Sequence, residues 1–259
     1  MKKLFILGKE DRPSLPAIVC SWLLVCIFIV VFFWISLHAI QTTFDFSFIA
    51  DFHIRLLKGF GMTLLLSLAS FIVSLFLGVI SAAGQGSRLL PIRCLCTLYV
   101  TFIRGTPLIM QIYLFFYIIG TAWGIENRFL AGVLILSIFE GAYITEILRG
   151  SLLSIDAAQL EAARAVGFTH AQTIRWVILP QLIARTLPAL TGQLASIIKD
   201  SSLLSMIAVI EITQTIREIT ATNFRLFEGY FFLGILYLCL TLPVTLASKV
   251  LERRFRYEN

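Results

Sequence analysis

Long apolar segments alternate with short polar ones along most of this 259-residue chain. Each apolar run has about 20 residues or more, the length that an α-helix needs to cross the hydrocarbon core of a bilayer. The pattern predicts six such segments, at approximately 17–40, 58–83, 98–120, 129–149, 183–206 and 229–249. The chain is therefore expected to be a polytopic membrane protein with about six transmembrane helices.

The spanning segments are predicted to be helical. Lipid offers no partner for backbone N–H and C=O groups, so each segment must satisfy them internally, and the runs are too long and too uniformly apolar for barrel strands. Hydrophobic residues make up 58% of the chain and charged residues only 14%, against roughly 25% charged residues in a soluble domain. This composition excludes a soluble enzyme and predicts an all-α membrane fold.

The distribution of basic residues predicts the orientation. Fifteen of the 21 Lys and Arg residues fall on one side of the membrane if the N-terminus is cytoplasmic. Because cytoplasmic loops carry an excess of Lys and Arg, both termini and the polar segment at 150–182 are expected in the cytoplasm. The basic residues are dispersed and the aromatic residues lie inside apolar runs, so the net charge of +6 does not indicate a nucleic-acid partner.

The first half of the polar segment is predicted to form a short helix. Asp156, with Gln159 three residues later, forms an N-terminal cap for an Ala-rich stretch, and Gly167 ends the helix and permits a sharp reversal. Small side chains allow a partner groove to approach closely, while Glu161 and Arg164 supply charge. Two interpretations stay open, a docking surface for another protein and an ordinary amphipathic cytoplasmic loop.

A second short helix is predicted after this reversal. Thr169 with Gln172 forms a capping pair at its start. The helix is expected to run to a break at Leu179 and Pro180, where the polar segment gives way to the fifth apolar segment.

Charged residues inside apolar segments are costly and usually face a cavity, a partner or an aqueous path. Glu140 lies near the middle of the fourth segment, and Lys199 and Asp200 lie in or at the outer end of the fifth. Gln193, Ser196 and Asp200 share one helical face, because they are three and four residues apart. These five residues are candidates for a substrate path. The alternatives are structural pairs, Lys199 with Asp200 and Glu140 with an arginine of a neighbouring helix or of a second subunit.

The sequence Arg104-Gly105-Thr106-Pro107 is predicted to interrupt the third segment. Proline removes an internal hydrogen bond and favours a bend. Gly105 and Pro107 are therefore candidates for a hinge, with a helix-entry turn and topology anchor as the alternative.

Residues for catalysis or cofactor binding are not indicated. The chain has no Gly-x-x-x-x-Gly-Lys-Ser/Thr loop for ATP phosphates. The five cysteines lie in or beside apolar segments without metal-ligand spacing. The sequence predicts neither a bound metal nor a cofactor, and any use of ATP would require another subunit.

Five motifs follow one another along the chain. They are GFGMTLLLSLAS from Gly59, YVTFIRGTPLIMQIYLFFY from Tyr99, AYITEILRGSL from Ala142 and KDSSLLSMI from Lys199, with QLEAARAVGFTHAQTIRWVILP from Gln159 between the last two. In order and spacing they resemble the motifs of ABC transporter permeases that take up polar amino acids. The resemblance runs from the first motif to the C-terminus, and the first apolar segment is less typical, since many members have five spans. The last-named segment resembles the family's EAA motif, whose positions here are Glu161, Ala162, Ala163, Gly167, Leu179 and Pro180.

The resemblance implies the MetI-like core of a type I ABC importer permease in the bacterial cytoplasmic (inner) membrane, surrounded by lipid. A separate ABC ATPase would dock on residues 150–182, the EAA loop. A second permease subunit, identical or homologous, would complete the pore, and an extracytoplasmic solute-binding protein would deliver the solute. The expected divisions are an N-terminal tail with an extra helix and outer loop (1–57), the permease core (58–250) and a C-terminal tail (251–259).

The resemblance also implies a role for the intramembrane residues. Similar permeases are thought to pass the amino acid beside the fifth segment, so Gln193, Lys199 and Asp200 are expected to contact it. Asp200 beside Lys199 offers complementary groups for an ammonium and a carboxylate. Transport would follow alternating access, driven by ATP. The alternative is an ion-coupled secondary amino-acid transporter or channel, with Glu140, Lys199 and Asp200 as coupling sites.

Overall fold

The computed structural model describes residues 14–40 and 44–255 of the chain. These residues form helices joined by short connections, and no β-strand occurs among them. The predicted all-α fold is therefore confirmed. The chain divides into two compact units between Phe46 and Ser47.

The described part of the first unit is dominated by α1 (Leu15–Ile40), a helix of 26 residues. Such a helix is about 39 Å long, which exceeds the roughly 30 Å of the hydrocarbon core. Its large apolar side chains are exposed along its length, with Trp22 and Phe28 as examples. A helix that is apolar on all sides suits lipid, which agrees with the predicted first span.

The second unit holds the remaining helices. They are α2 (Phe48–Asp51), α3 (His53–Gln85), α4 (Leu90–Gly105), α5 (Leu108–Tyr113), α6 (Arg128–Leu153), α7 (Ala157–Ala165), α8 (His170–Thr173), α9 (Leu179–Asp200), α10 (Ile212–Asn223) and α11 (Leu226–Arg254). Three irregular helical segments adjoin α5 and α9. They are a π-helix after α5 (Leu114–Gly120), a π-helix before α9 (Ile174–Ile178) and a 3-10 helix after α9 (Ser201–Ile207).

The predicted number of six spans is not confirmed. Among the described residues, four helices are long and apolar enough to cross a membrane, namely α1, α3, α6 and α11. A fifth is added if α4 and the helix at 108–120, which are bent by 114° relative to each other, count as one broken span. The predicted fifth segment does form a helix, α9, but polar side chains such as Arg185, Gln193 and Lys199 make it less apolar than the others.

The centre of the second unit is the contact between α3 and α6. Small residues of α3 are buried there, including Ser70, Ser74 and Gly78. From α6, the Ser137 hydroxyl donates to the Ser70 carbonyl oxygen at 3.2 Å, and the Thr145 hydroxyl lies 3.4 Å from the Gly78 carbonyl oxygen. Between helices in lipid, close backbone approach and hydrogen bonds replace the hydrophobic driving force. The small residues allow both.

Two glycines make this approach close. A Cβ atom at Gly78 would lie 2.5 Å from Cγ2 of Ile144, and one at Gly141 would lie 2.9 Å from the Tyr99 hydroxyl oxygen. That hydroxyl donates to the Ile138 carbonyl oxygen at 2.6 Å and so ties α4 to α6. The three helices therefore pack through positions that tolerate no larger side chain.

The structure contains a helix that the hydropathy pattern did not predict, α10, in the connection before α11. Its buried residues Ile212, Ile216 and Ile219 are four and three residues apart and face a cluster with Phe48 and Leu233. Only one face is apolar, so its average hydropathy is low. The helical spacing of its apolar residues, rather than the average hydropathy, is the feature of the sequence that indicates α10.

We expect Gly78→Ala to destabilise the second unit. The added methyl group meets Ile144, and overpacking of this kind costs about 1–3 kcal/mol. Gly61→Ala is the matched control, since a Cβ atom there has no neighbour within 4 Å. Thermal unfolding in detergent should give a lower midpoint for Gly78→Ala alone. Equal midpoints for the two variants would show that the approach of α3 and α6 is not tight.

Candidate functional site

The EAA loop begins with the short helix α7, as predicted. The Asp156 carboxylate accepts a hydrogen bond from the Ala158 backbone N–H at 2.9 Å and caps the helix. Gly167 follows with φ of +85°, a conformation that favours glycine. Gln159, the predicted partner in the cap, instead accepts a hydrogen bond through its side-chain oxygen from Gln181 at 2.5 Å.

The second helix of the EAA loop starts as predicted and ends differently. Thr169 and Gln172 form a reciprocal capping box. The predicted break at Leu179 and Pro180 is wrong, because the chain remains helical from α8 through the π-helix Ile174–Ile178 to the end of α9. Pro180 is the second residue of α9, directly after the wider π turn, and it does not end the helical segment.

Side-chain contacts fix the base of the EAA loop to α9. The Arg185 guanidinium donates to the Ser154 backbone oxygen and, at 2.5 Å, to its hydroxyl oxygen. The Gln181 amide links α9 to α7 through Gln159. Since Ser154 follows directly after α6, both ends of the loop are held at one place on the bundle.

The predicted EAA positions differ in exposure. Ala163 is buried, with 7% of its surface accessible, and packs inside the loop. The other five positions are exposed, namely Glu161, Ala162, Gly167, Leu179 and Pro180. Sequence reasoning missed further large apolar side chains that the loop also exposes, among them Val166, Phe168 and Trp176. The sequence indicated them only through the presence of large apolar residues within a loop that is otherwise polar and charged.

A polar cluster joins the middle of α6 to α9. Glu140 is fully buried at the centre of α6, and its Oε2 atom accepts a hydrogen bond from the Gln193 side-chain amide. The Asp200 carboxyl group faces Glu140 from the end of α9. The two carboxyl groups lie within reach of each other. The cluster thus brings Glu140, Asp200 and the Gln193 amide together in the protein interior.

The structural pairs considered as alternatives are not present in the described residues. No ion pair joins Lys199 to Asp200, and the Lys199 side chain is exposed. Glu140 bonds to Gln193 and not to an arginine. Ser196 is half-buried on the predicted face of α9. Of the predicted substrate-path residues, the structure brings together Glu140, Gln193 and Asp200.

The bend between α4 and α5 lies at Gly105 and Pro107, where it was predicted. Thr106 is extended, with φ of −125° and ψ of 150°, as sterics require before proline. The buried Gln111 side chain donates to the Ile103 carbonyl oxygen at 2.8 Å and to the Thr106 hydroxyl at 2.7 Å. Sequence reasoning missed Gln111, although a glutamine within an apolar run was a signal.

The chain is similar in sequence to known membrane transport proteins. Residues 74–257, more than half of the chain, match the family described as binding-protein-dependent transport system inner membrane component. The chain is 33% identical over 198 residues to the probable glutamine ABC transporter permease protein GlnM of Bacillus subtilis (strain 168), covering 76% of this chain and 92% of that protein. It is 36% identical over 197 residues to the L-cystine transport system permease protein TcyB of the same strain, covering 76% and 84%.

A solved structure is also similar. The crystal structure of an amino acid ABC transporter with histidines matches with a TM-score of 0.76 and 33% identity, covering 82% of this chain and 100% of that chain. The helical bundle and these matches define a multi-pass membrane permease of the MetI-like fold class. The chain belongs to the binding-protein-dependent transport system inner membrane component family, among the amino-acid ABC transporter permeases. This membership favours a permease subunit over an ion-coupled secondary transporter or channel.

We expect Gln111→Leu to destabilise the bend between α4 and α5. The substitution keeps the volume but leaves the Ile103 carbonyl oxygen without this donor, and a buried unsatisfied polar group costs about 1–3 kcal/mol. Met110→Leu, at an exposed neighbouring position, is the control. Thermal unfolding in detergent measures both. A Gln111→Leu midpoint equal to that of the control would mean that these hydrogen bonds do not stabilise the bend.

Proposed function

We propose that this chain is the permease subunit of an ATP-driven ABC importer that moves a polar amino acid into the cytoplasm. A separate ATPase binds the EAA loop and supplies the energy. The observation that carries this proposal is the helical continuity from α8 through the π-helix to the end of α9, which joins the exposed loop to the buried polar cluster.

This continuous helix is suited to transmit movement. From residue 170 to Gln193 it spans roughly 35 Å at 1.5 Å per residue. Its start lies in the EAA loop, and Gln193 hydrogen-bonds to Glu140. The contact of Arg185 with Ser154 ties the same helix to the end of α6. A displacement of the loop therefore moves α9 against α6 at the polar cluster.

The exposed EAA positions form the proposed ATPase contact. Glu161 supplies charge to fix the register, while Ala162 and Gly167 allow close approach. Leu179 and Pro180 are exposed where α9 begins, so the contact extends to the base of the helix. Ala163 packs inside the loop and supports its shape.

Transport proceeds by alternating access in this proposal. ATP binding draws two ATPase subunits together, and the attached loops open a pair of permease subunits outward to receive solute from a binding protein. Hydrolysis returns them to the inward-open state. The ATPase can drive this cycle only if its nucleotide-bound form prefers one permease conformation. Both termini lie in the cytoplasm, in agreement with the distribution of Lys and Arg.

The polar cluster is proposed to contact the amino acid on its way through. GlnM and TcyB are named for glutamine and L-cystine, two solutes that share an α-ammonium and an α-carboxylate. Glu140 and Asp200, whose carboxyl groups lie close together, are two acceptors for the ammonium. Ser196 and Lys199 continue the path along α9.

Gly105 and Pro107 remain a proposed hinge. Movement there requires the Gln111 side chain to release Ile103 and Thr106, so the bend opens only when other contacts compensate. This makes the bend a fixed support for α6 in the state described here.

We expect Gly167→Val to uncouple ATP hydrolysis from uptake. The native φ of +85° costs a non-glycine residue about 1–2 kcal/mol, so the reversal between α7 and α8 changes shape. The complex with its ATPase and binding protein, reconstituted in vesicles, should hydrolyse ATP but accumulate less amino acid per ATP. Gly150→Val is the control, because Gly150 lies in α6 with open space around it. Unchanged coupling in Gly167→Val would count against the proposed role of the loop.

We expect Glu140→Gln to lower uptake without loss of assembly. The amide is isosteric but lacks the charge that attracts an ammonium, and hydrogen bonds to charged groups contribute about 1.5–3 kcal/mol, which corresponds to a roughly 10- to 100-fold effect. Uptake of single amino acids and co-purification of the ATPase are measured on the same preparation. Glu252→Gln, at an exposed position near the end of α11, is the control. Full uptake by Glu140→Gln would exclude Glu140 from the solute path.

A further inference from the structure

A second polar region lies between α4 and α6, separate from the Glu140 cluster. It is a cavity of about 670 Å³ lined by the last residue of α3 and by one face of α4. Arg93 and Arg104 come from that face, and Arg149 comes from the last turns of α6. The cavity therefore opens at the end of the bundle from which the EAA loop departs.

Positive charge dominates this cavity. Glu146 is the one carboxylate in its wall, and both Arg149 and Arg104 use it. Arg149 bonds to both Glu146 oxygens at 2.8 and 2.7 Å, and Arg104 lies 3.1 Å from Oε2. Arg93 makes no ion pair within the described chain. The wall thus holds three guanidinium groups and one carboxylate, which leaves an excess of two positive charges.

A second contact holds Arg104 at the wall of the cavity. Arg104 lies over the Tyr143 ring, with its central carbon 5.4 Å from the ring centroid, so its position is held by a ring contact as well as by Glu146. The hydroxyl groups of Thr101 and Tyr143 also line the wall. The cavity therefore offers guanidinium and hydroxyl donors around an open volume.

The excess positive charge of the cavity indicates which class of ligand it can bind. A zwitterionic amino acid needs an acceptor for its ammonium, and Glu146 is already occupied by two arginines. A phosphate group needs donors alone, and arginine matches its oxygens with paired N–H groups. Basic pockets between helices at the cytoplasmic boundary are also suited to anionic lipid headgroups.

We propose that this cavity binds a phosphate group, carried by an anionic lipid headgroup or by a free phosphate compound, with Arg93 and Arg104 as its main contacts. Arg93 and Arg104 are eleven residues apart on α4, about 16 Å along the axis, and both side chains line the same cavity. Arg149 adds a contact from α6. The bound phosphate holds α4 and α6 together beside the bend at Gly105.

The test measures thermal stability of the full-length protein, purified with any subunits that accompany it. Four additives are titrated in detergent: phosphatidylglycerol, diacylglycerol with the same chains, inorganic phosphate and free glutamine. A ligand that binds only the folded state raises the unfolding midpoint in a concentration-dependent manner. Arg93→Gln is compared with Arg88→Gln, which removes an exposed arginine near the same boundary that does not line the cavity.

Stabilisation of the wild type by phosphatidylglycerol but not by inorganic phosphate identifies a lipid ligand, and stabilisation by inorganic phosphate alone identifies a free phosphate compound. In either case Arg93→Gln should raise the half-saturating concentration about tenfold, Arg88→Gln should leave it unchanged, and Arg93→Lys should lie between them. Equal stabilisation by diacylglycerol overturns the proposal. So does an equal response of the Arg93→Gln and Arg88→Gln variants, or stabilisation by glutamine that depends on Arg93.

Discussion

The close approach of α3 and α6 is the contact on which the rest of the second unit depends. Gly78 and Gly141 remove the side chains that would hold the helices apart, and Ser137 and Thr145 then donate hydrogen bonds to the α3 backbone. In lipid no hydrophobic force drives helices together, so packing and these bonds must suffice. The position of α6 then determines its contacts with two other helices. Glu140 of α6 contacts α9, and the last turns of α6 contact α4. The glycine, serine and threonine residues at this contact therefore position both the Glu140 cluster and the arginine-lined cavity.

Two buried carboxyl groups are held in different ways. Glu211 accepts backbone hydrogen bonds from Thr213 and Gln214 at 2.8 and 2.7 Å and another from the Tyr237 hydroxyl at 3.0 Å. Its acceptors are engaged, and it caps α10 within the connection before α11. Glu140 is equally buried, but it accepts a hydrogen bond from Gln193 and lies beside a second carboxyl group, that of Asp200. The Glu211 site is thus completed by neutral donors of α10 and α11, whereas Glu140 belongs to a cluster that joins α6 to α9.

Local signals predicted local structure well, and contacts between helices much less well. The glycine at 167 and the cap at Thr169 were readable because each acts within a few residues. The expected break at Pro180 was wrong because the preceding π turn depends on the packing of the whole segment. Glu140 was recognised as a costly charge, but its partner was not certain, because the register between α6 and α9 is set by side-chain packing that no short pattern encodes. Gln111 and the helix α10 were missed for a similar reason, since both act through distant or amphipathic contacts.

The π-helix Ile174–Ile178 sets the rotational phase between the EAA loop and α9. A π turn contains about one residue more than an α turn, and each residue of an α-helix adds about 100° of rotation. Relaxation of this turn to α geometry would swing the exposed face of α8 by roughly a quarter of a revolution while α9 stays in place. The geometry of this one turn therefore sets which side of α8 faces the same direction as a given side of α9.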